Sequence, residues 1–177
     1  IHEGYPGHHL QLAAQNLHPG RLRSFCENLE LIEGWATYCQ NQIRELGFET
    51  SPESLFAHAT EEVFNAARLI TDVNLQTRTW SFNEAVSFLM EQTKIDNNSA
   101  LAEIKRQSQS PGCQTSGPAG EFLLRQLKGE LQQQFKGDFT DRAFHDLVLY
   151  QGSLPFAVIR RFYPELMKAE FKEHHRG

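Results

Sequence analysis

The 177-residue sequence lacks any apolar run approaching the roughly 20 residues of a membrane span, and no stretch of it reads as a signal peptide, which says little of a chain that starts in mid-motif. Its three cysteines, Cys26, Cys39 and Cys113, are an odd number without CxxC spacing. That argues against a disulfide framework and against a cysteine zinc site, and leaves them as ordinary buried or half-buried thiols. An excess of positive charge is also missing: 17 Lys and Arg stand against 22 Asp and Glu, a formal net charge of −5, with no basic face for nucleic acid. Alternating strand patterns, internal repeats and low-complexity tracts are absent too. What remains is 40% hydrophobic and 22% charged, ordinary for a globular protein of about one domain with a substantial core. Ile1 stands directly before a histidine motif, with no room for a helix N-cap. The chain therefore reads as a single helical domain, the C-terminal part of a longer protein.

The periodicity is helical nearly throughout and predicts an all-α, compact array of seven or so helices. "EGYPGHHLQLAAQNL" reads as a first helix stopped by His18-Pro19-Gly20, and Leu22 to Leu46 as a longer one ended by Gly47. Ser51-Pro52 opens a helix to about Thr79. Ser81 and Glu84 form a capping-box pattern before "FNEAVSFLMEQT", and "NSALAEIKRQSQ" follows. "SPGCQTSGPAG" is rich enough in Gly, Pro and Ser to be the main internal loop. "GEFLLRQLKGELQQQF", "TDRAFHDLVLYQG" with Thr140 as cap, and a last helix from about Leu154 complete the chain.

The opening "IHEGYPGHH" nearly spells HExxH, the helical signature in which two histidines one turn apart share zinc and the glutamate acts as general base. At about 100° per residue, His2 and His8 lie roughly 120° apart around a regular helix, and His2 and His9 sit about 10.5 Å apart along its axis. Neither pair closes on one zinc, whose nitrogen ligands lie about 2.0–2.1 Å from the metal, without distortion. Pro6-Gly7 supplies distortion, since proline removes a backbone donor and glycine tolerates unusual dihedrals. With two residues looped out there, His8 falls where the second histidine belongs, and His9 points elsewhere as an outer donor. The alternative is that Pro6 marks the first turn of a helix beginning near Glu3, with the histidines a partly exposed cluster. Downstream, Glu27 and Glu30 fit the solvated stripe of an amphipathic helix. Glu33 has apolar or aromatic neighbours in Ile32, Trp35, Ala36 and Tyr38, so it is expected to point inward, where a carboxylate needs a partner or a metal.

"HEGYPGHHLQ", "EGWATY", "ARLITDVNL" and "FHDLVLYQGSLPF" occur in an order and spacing that resembles the domain-of-unknown-function 885 family, a largely bacterial group similar to zinc-dependent peptidases. The resemblance covers essentially the whole chain. It implies a zincin-like helical architecture of the glutamate-zincin type, with Zn2+ held by His2, His8 and Glu33, and Glu3 as general base. A related two-histidine helix with one inserted residue occurs in dipeptidyl peptidases of the third type. The implied reaction is metal-assisted hydrolysis of a peptide or small amide, with the rest of the cleft supplied by a missing N-terminal part of the chain.

Three positions depart from the family pattern. Gln76 stands where a DTGLH-like run has histidine, Gly117 where PGQALAYxxG has tyrosine, and Gln40 where EGWALYAE has glutamate. The first two remove groups expected to contact substrate or transition state. Arg68 and Asp72 match the family's RLxxD and either orient a ligand, bind a substrate carboxylate or form a structural salt bridge. His145, in "AFHDLVL", is a catalytic candidate by resemblance and a hydrogen-bonded core histidine otherwise. Trp35 and Trp80 are expected in the core; His58, His174 and His175 on the surface; and "QGSLPF" as a structural turn. Two functions remain open: a zinc-dependent peptidase-like hydrolase, or a catalytically inactive helical module that binds peptide or envelope partners.

Overall fold

The structure, a computed structural model, describes the backbone of residues 1–48 and 50–174 and the side chains as far as residue 169. The side chains of His174 and His175 lie outside it. Among the described residues the chain is helical, with one isolated parallel bridge between Glu27 and Ser153. The helices are α1 (His8–Asn16), α2 (Arg21–Ser24), α3 (Leu29–Glu45), α4 (Pro52–Gln76), α5 (Phe82–Thr93), α6 (Asn97–Gln109), α7 (Ser116–Phe135), α8 (Asp141–Tyr150) and α9 (Phe156–His174). None of the described helices is long and apolar enough to cross a membrane.

The cap signals are met by hydrogen bonds that satisfy otherwise orphaned backbone donors. Ser51 accepts from Ser54 N ahead of Pro52, and Thr140 accepts from Ala143 N. Ser81 and Glu84 exchange the two bonds of a capping box. Asp96 accepts from Asn98 and Ser99.

Three expected boundaries move. The first helix begins at His8, not near Glu3. The segment read as one helix from Leu22 is two, because Glu27 pairs with Ser153 and Asn28 accepts from Leu31 N to start α3 afresh. The "main loop" is shorter than expected, since α7 already starts at Ser116. Pro118 sits in its first turn, where a missing N–H costs nothing.

The helices divide into two compact units, residues 1–42 with 117–177, and residues 43–116. The first is built around Leu31, Trp35, Tyr38, Leu127, Phe144 and Ile159. Within it "QGSLPF" is structural, as expected: Gly152 takes a φ of 74°, and buried Ser153 donates to Gln15 Oε1 at 2.6 Å. The second packs Ala67, Ala85, Leu89 and Ile104, with Trp80 half-buried against Phe88. His58 is not a free surface residue; half-buried, it bonds the Arg44 side chain and lies 3.2 Å from Glu62.

Within the first unit, α3 and α7 cross at glycine. A Cβ on Gly120 would fall 1.7 Å from the carbonyl oxygen of Glu30, and one on Gly34 would fall 2.4 Å from the Gly120 carbonyl carbon. Backbone atoms cannot swing aside as a side chain does, so this crossing excludes any larger residue. Gly129 on the same helix meets nothing within 4 Å. Gly120→Ala is therefore expected to destabilise the protein by at least about 1–3 kcal/mol through overpacking. Gly129→Ala, where alanine only restricts the unfolded chain, stabilises by roughly 0.5–1 kcal/mol. Urea denaturation followed by circular dichroism reads both, and equal effects would contradict the close crossing.

Candidate metal centre

The segment before α1 replaces an ordinary helical turn with a wider one. Gly7 N donates to Ile1 O (3.2 Å), His8 N to His2 O (2.8 Å) and His9 N to Glu3 O (3.1 Å). Each bond spans six residues, where an α-helix spans four. The wider turn encloses two residues beyond an α-turn, so His8 stands to His2 as the second histidine of HExxH stands to the first. The Tyr5–Pro6 peptide is cis. Gly7 is buried, and a Cβ there would lie 1.8 Å from His2 O. Only glycine fits.

The loop is also gripped from the side. Trp35 Nε1 donates to Pro6 O at 2.9 Å, and Cys39 Sγ reaches the same carbonyl at 3.6 Å. Burial pushes the Cys39 thiol up to about 12, which keeps it a protonated donor.

Three donors converge from this arrangement. The rings of His2 and His8 meet edge-on, with centroids 4.8 Å apart. Glu33 Oε2 lies 3.8 Å from His2 Nε2 and 3.7 Å from His8 Nε2. The ligand atoms of His2, Glu3 and His8 fall within 4.8 Å of one another. Ligands about 2.0–2.1 Å from a tetrahedral zinc are about 3.3 Å apart, so both imidazoles would have to draw closer to the Glu33 carboxylate to share one ion. Two imidazoles and one carboxylate are a donor set found in catalytic zinc sites. His8 Nδ1, on the far side of the ring from the nitrogen that faces Glu33, is buried with no hydrogen-bond partner. The residues present fit a divalent cation.

The charges respond to this convergence. The Glu33 carboxylate, 3.8 Å away, raises the His2 pKa above the usual histidine value against the opposing effect of burial, with further help from the charge of Glu3 and from the Gln40 side chain. The nearby His2 ring in turn lowers the Glu33 pKa, and His8 adds to it. The carboxylate thus draws positive charge to itself, which a proton on His2 provides in the absence of a metal.

The remaining candidates are distributed less centrally. Glu3 is exposed beside His2, and His9 is exposed on α1. Gln40 adjoins His2 as a neutral amide where the resemblance led one to expect a carboxylate. Gly117 lies beside the centre: a Cβ there would be 3.9 Å from Glu33 Cβ and 3.0 Å from Thr37 Oγ1. His145 Nε2 hydrogen-bonds Tyr38 Oη at 2.8 Å, and its ring packs on Trp35 and Phe144. Lys128 donates to the same Tyr38 oxygen at 3.1 Å and pairs with Asp141 at 3.0 Å.

Arg68 and Asp72 belong to the second unit and have different partners. Arg68 Nε pairs with Glu103 at 2.8 Å. Asp72, buried, accepts from Gly112 N at 3.0 Å and from Gln76 Nε2 at 3.3 Å. Gln76 also donates to Gln107 O at 3.0 Å. Where the resemblance led one to expect a histidine, this chain uses an amide to tie α4 to α6. Trp35, read as core, and Gln40, read as a lost glutamate, are the site neighbours whose contacts sequence reasoning did not show. The signal for Trp35 was its N–H, which needs an acceptor once the indole is buried.

The family model for "Bacterial protein of unknown function (DUF885)" matches residues 1–162. A candidate lipoprotein from Colwellia psychrerythraea matches in structure with a TM-score of 0.85 and 30% identity, over 95% of this chain and 29% of that one. A candidate lipoprotein of unknown function from Shewanella oneidensis matches with a TM-score of 0.81 and 27% identity, over 92% of this chain and 30% of that one. The chain thus spans less than a third of the solved structures it resembles. No curated protein matches it.

In metal-free protein, the His2 ring is expected to titrate above the usual histidine value of about 6.5, drawn up by Glu33. The His145 ring titrates below it, because burial and the Lys128 charge disfavour its cation. The two act oppositely on stability. A raised His2 stabilises below pH of about 6.5 and loses that contribution as pH rises through its folded value. A depressed His145 costs stability as pH falls below about 6.5. Nitrogen-15 NMR titration resolves the two rings, and Glu33→Gln should return His2 towards the ordinary value while leaving His145 unmoved.

Proposed function

Because the chain belongs to DUF885, a family of bacterial proteins of unknown function, we propose that it carries the metal centre of a zinc-dependent, peptidase-like hydrolase acting on peptide or small amide bonds. The observation that carries this reading is the approach of His2 Nε2 and His8 Nε2 to one Glu33 oxygen, at 3.8 and 3.7 Å, with Glu3 beside them. Zinc in that donor set supplies Lewis acidity and a water acidified towards a pKa of about 7. Glu3, exposed and next to His2, is the general base: its carboxylate takes a proton from the attacking water and returns it to the leaving amine nitrogen. His145, bonded to Tyr38 and edge-on to Trp35, supports the α3 wall rather than acting as a second acid or base.

The remaining wall of the cleft belongs to the portion of the longer relatives with no counterpart here. Both solved relatives are candidate lipoproteins, which favours the cell envelope as the setting.

A second reading has specific support. Gln76 is engaged with Asp72 and Gln107, and Gly117 offers no side chain beside Glu33. A helical module that binds peptide without cutting it is consistent with both.

Zinc-reconstituted protein screened against quenched fluorescent peptides separates the two. Hydrolysis is expected, and Glu3→Gln should lower kcat/KM by about 10²–10⁴-fold with zinc content unchanged. Peptide bound but uncut, with the same affinity in wild type and Glu3→Gln, would make the binding module the correct reading.

A further inference from the structure

We propose that Trp35 is a positioning residue for the metal centre, its indole N–H tethering the looped segment 2–8 so that His2 and His8 meet Glu33. The inference rests on the zinc reading above and extends it to a side chain that touches neither metal nor substrate.

The first support is where the tether attaches. Pro6 lies within the six-residue span that sets the histidine spacing, four residues after His2 and two before His8. Proline has no N–H to offer, so the loop is fastened at this point through its carbonyl, 2.9 Å from Trp35 Nε1. The Cys39 thiol reinforces the same acceptor at 3.6 Å. A shift of the Pro6 carbonyl would move both histidines, since the backbone bonds from Gly7, His8 and His9 run across the same loop.

The second support is what the tether is mounted on. Trp35 is 2% exposed, so its N–H cannot turn to water and keeps its acceptor. It is two residues from Glu33 on α3, so donor and carboxylate ligand travel as one rigid piece. Gly34 between them is in backbone contact with Gly120 of α7, which fixes α3 along its axis at that point. The third ligand and the device that aims the other two therefore share one helix turn. Outer contacts of this kind commonly change metal affinity by about 10–100-fold when removed.

The test is Trp35→Phe, which keeps a buried ring and deletes the donor. Zinc affinity, measured by competition with a chromophoric chelator, should weaken about 10–100-fold in protein that is folded by circular dichroism, and the visible spectrum of the cobalt-substituted site should change. Lower thermal stability with unchanged affinity and cobalt spectrum would make Trp35 a packing residue and overturn the assignment. Where the variant does not fold, wild-type NMR decides. The sequence has two tryptophans, and zinc should slow solvent exchange of the Trp35 indole N–H while leaving that of Trp80 unchanged. Equal behaviour of the two would also overturn it. A wild type that takes up no zinc sinks the metal reading and this assignment together, whereas unchanged affinity in Trp35→Phe sinks the assignment alone.

Discussion

The hydrogen bonds from His8 N to His2 O and from His9 N to Glu3 O set everything else at the site. They close turns of six residues where a helix closes turns of four. A regular helix through "HEGYPGHH" would point His2 and His8 to different faces. The wide turn restores them to one face without altering the helix that follows. It depends on glycine as much as on bonding, since a Cβ on Gly7 would overlap His2 O. The departure from HExxH and the ability to imitate it come from the same two residues, Pro6 and Gly7.

Helix α3 is the second constraint. It contributes Glu33 to the donors, Trp35 and Cys39 to the Pro6 carbonyl, and Gln40 to His2. Its opposite duty is to pack at van der Waals limit on α7 through Gly34 and Gly120. Half-buried Glu33 therefore sits on a scaffold whose own position is fixed by backbone contact. Ligands held on rigid elements retain their geometry better than ligands on loops. Here two of the three donors precede or open α1, so α3 reaches across to hold the loop that carries them.

Much of this was legible in the residues. The caps at Ser51, Ser81 and Thr140 work locally, within four residues, and were read correctly. Glu33 was singled out by its apolar neighbours, and the structure brings it to His2 and His8. What was not legible depended on distance along the chain. The break at Cys26–Asn28 follows from pairing with Ser153, more than a hundred residues away. The Gly-Pro-Ala-Gly stretch looked like a loop because its glycines suggested freedom, whereas Gly120 serves a close helix crossing. Arg68 and Asp72 looked like an i,i+4 pair, but Glu103 and Gly112 claim them instead. The substitutions Gln76 and Gly117 are readable only as losses in sequence. In the structure, Gln76 is a structural link, and Gly117 packs against Thr37 beside Glu33.

The central claim is that His2, His8 and Glu33 form one metal site. Its most direct test is zinc stoichiometry by elemental analysis, after reconstitution and removal of loose metal, on wild type and Glu33→Ala. One zinc per chain in the wild type, lost in Glu33→Ala, is the predicted result. No zinc in the wild type, or equal zinc in both proteins, would contradict it.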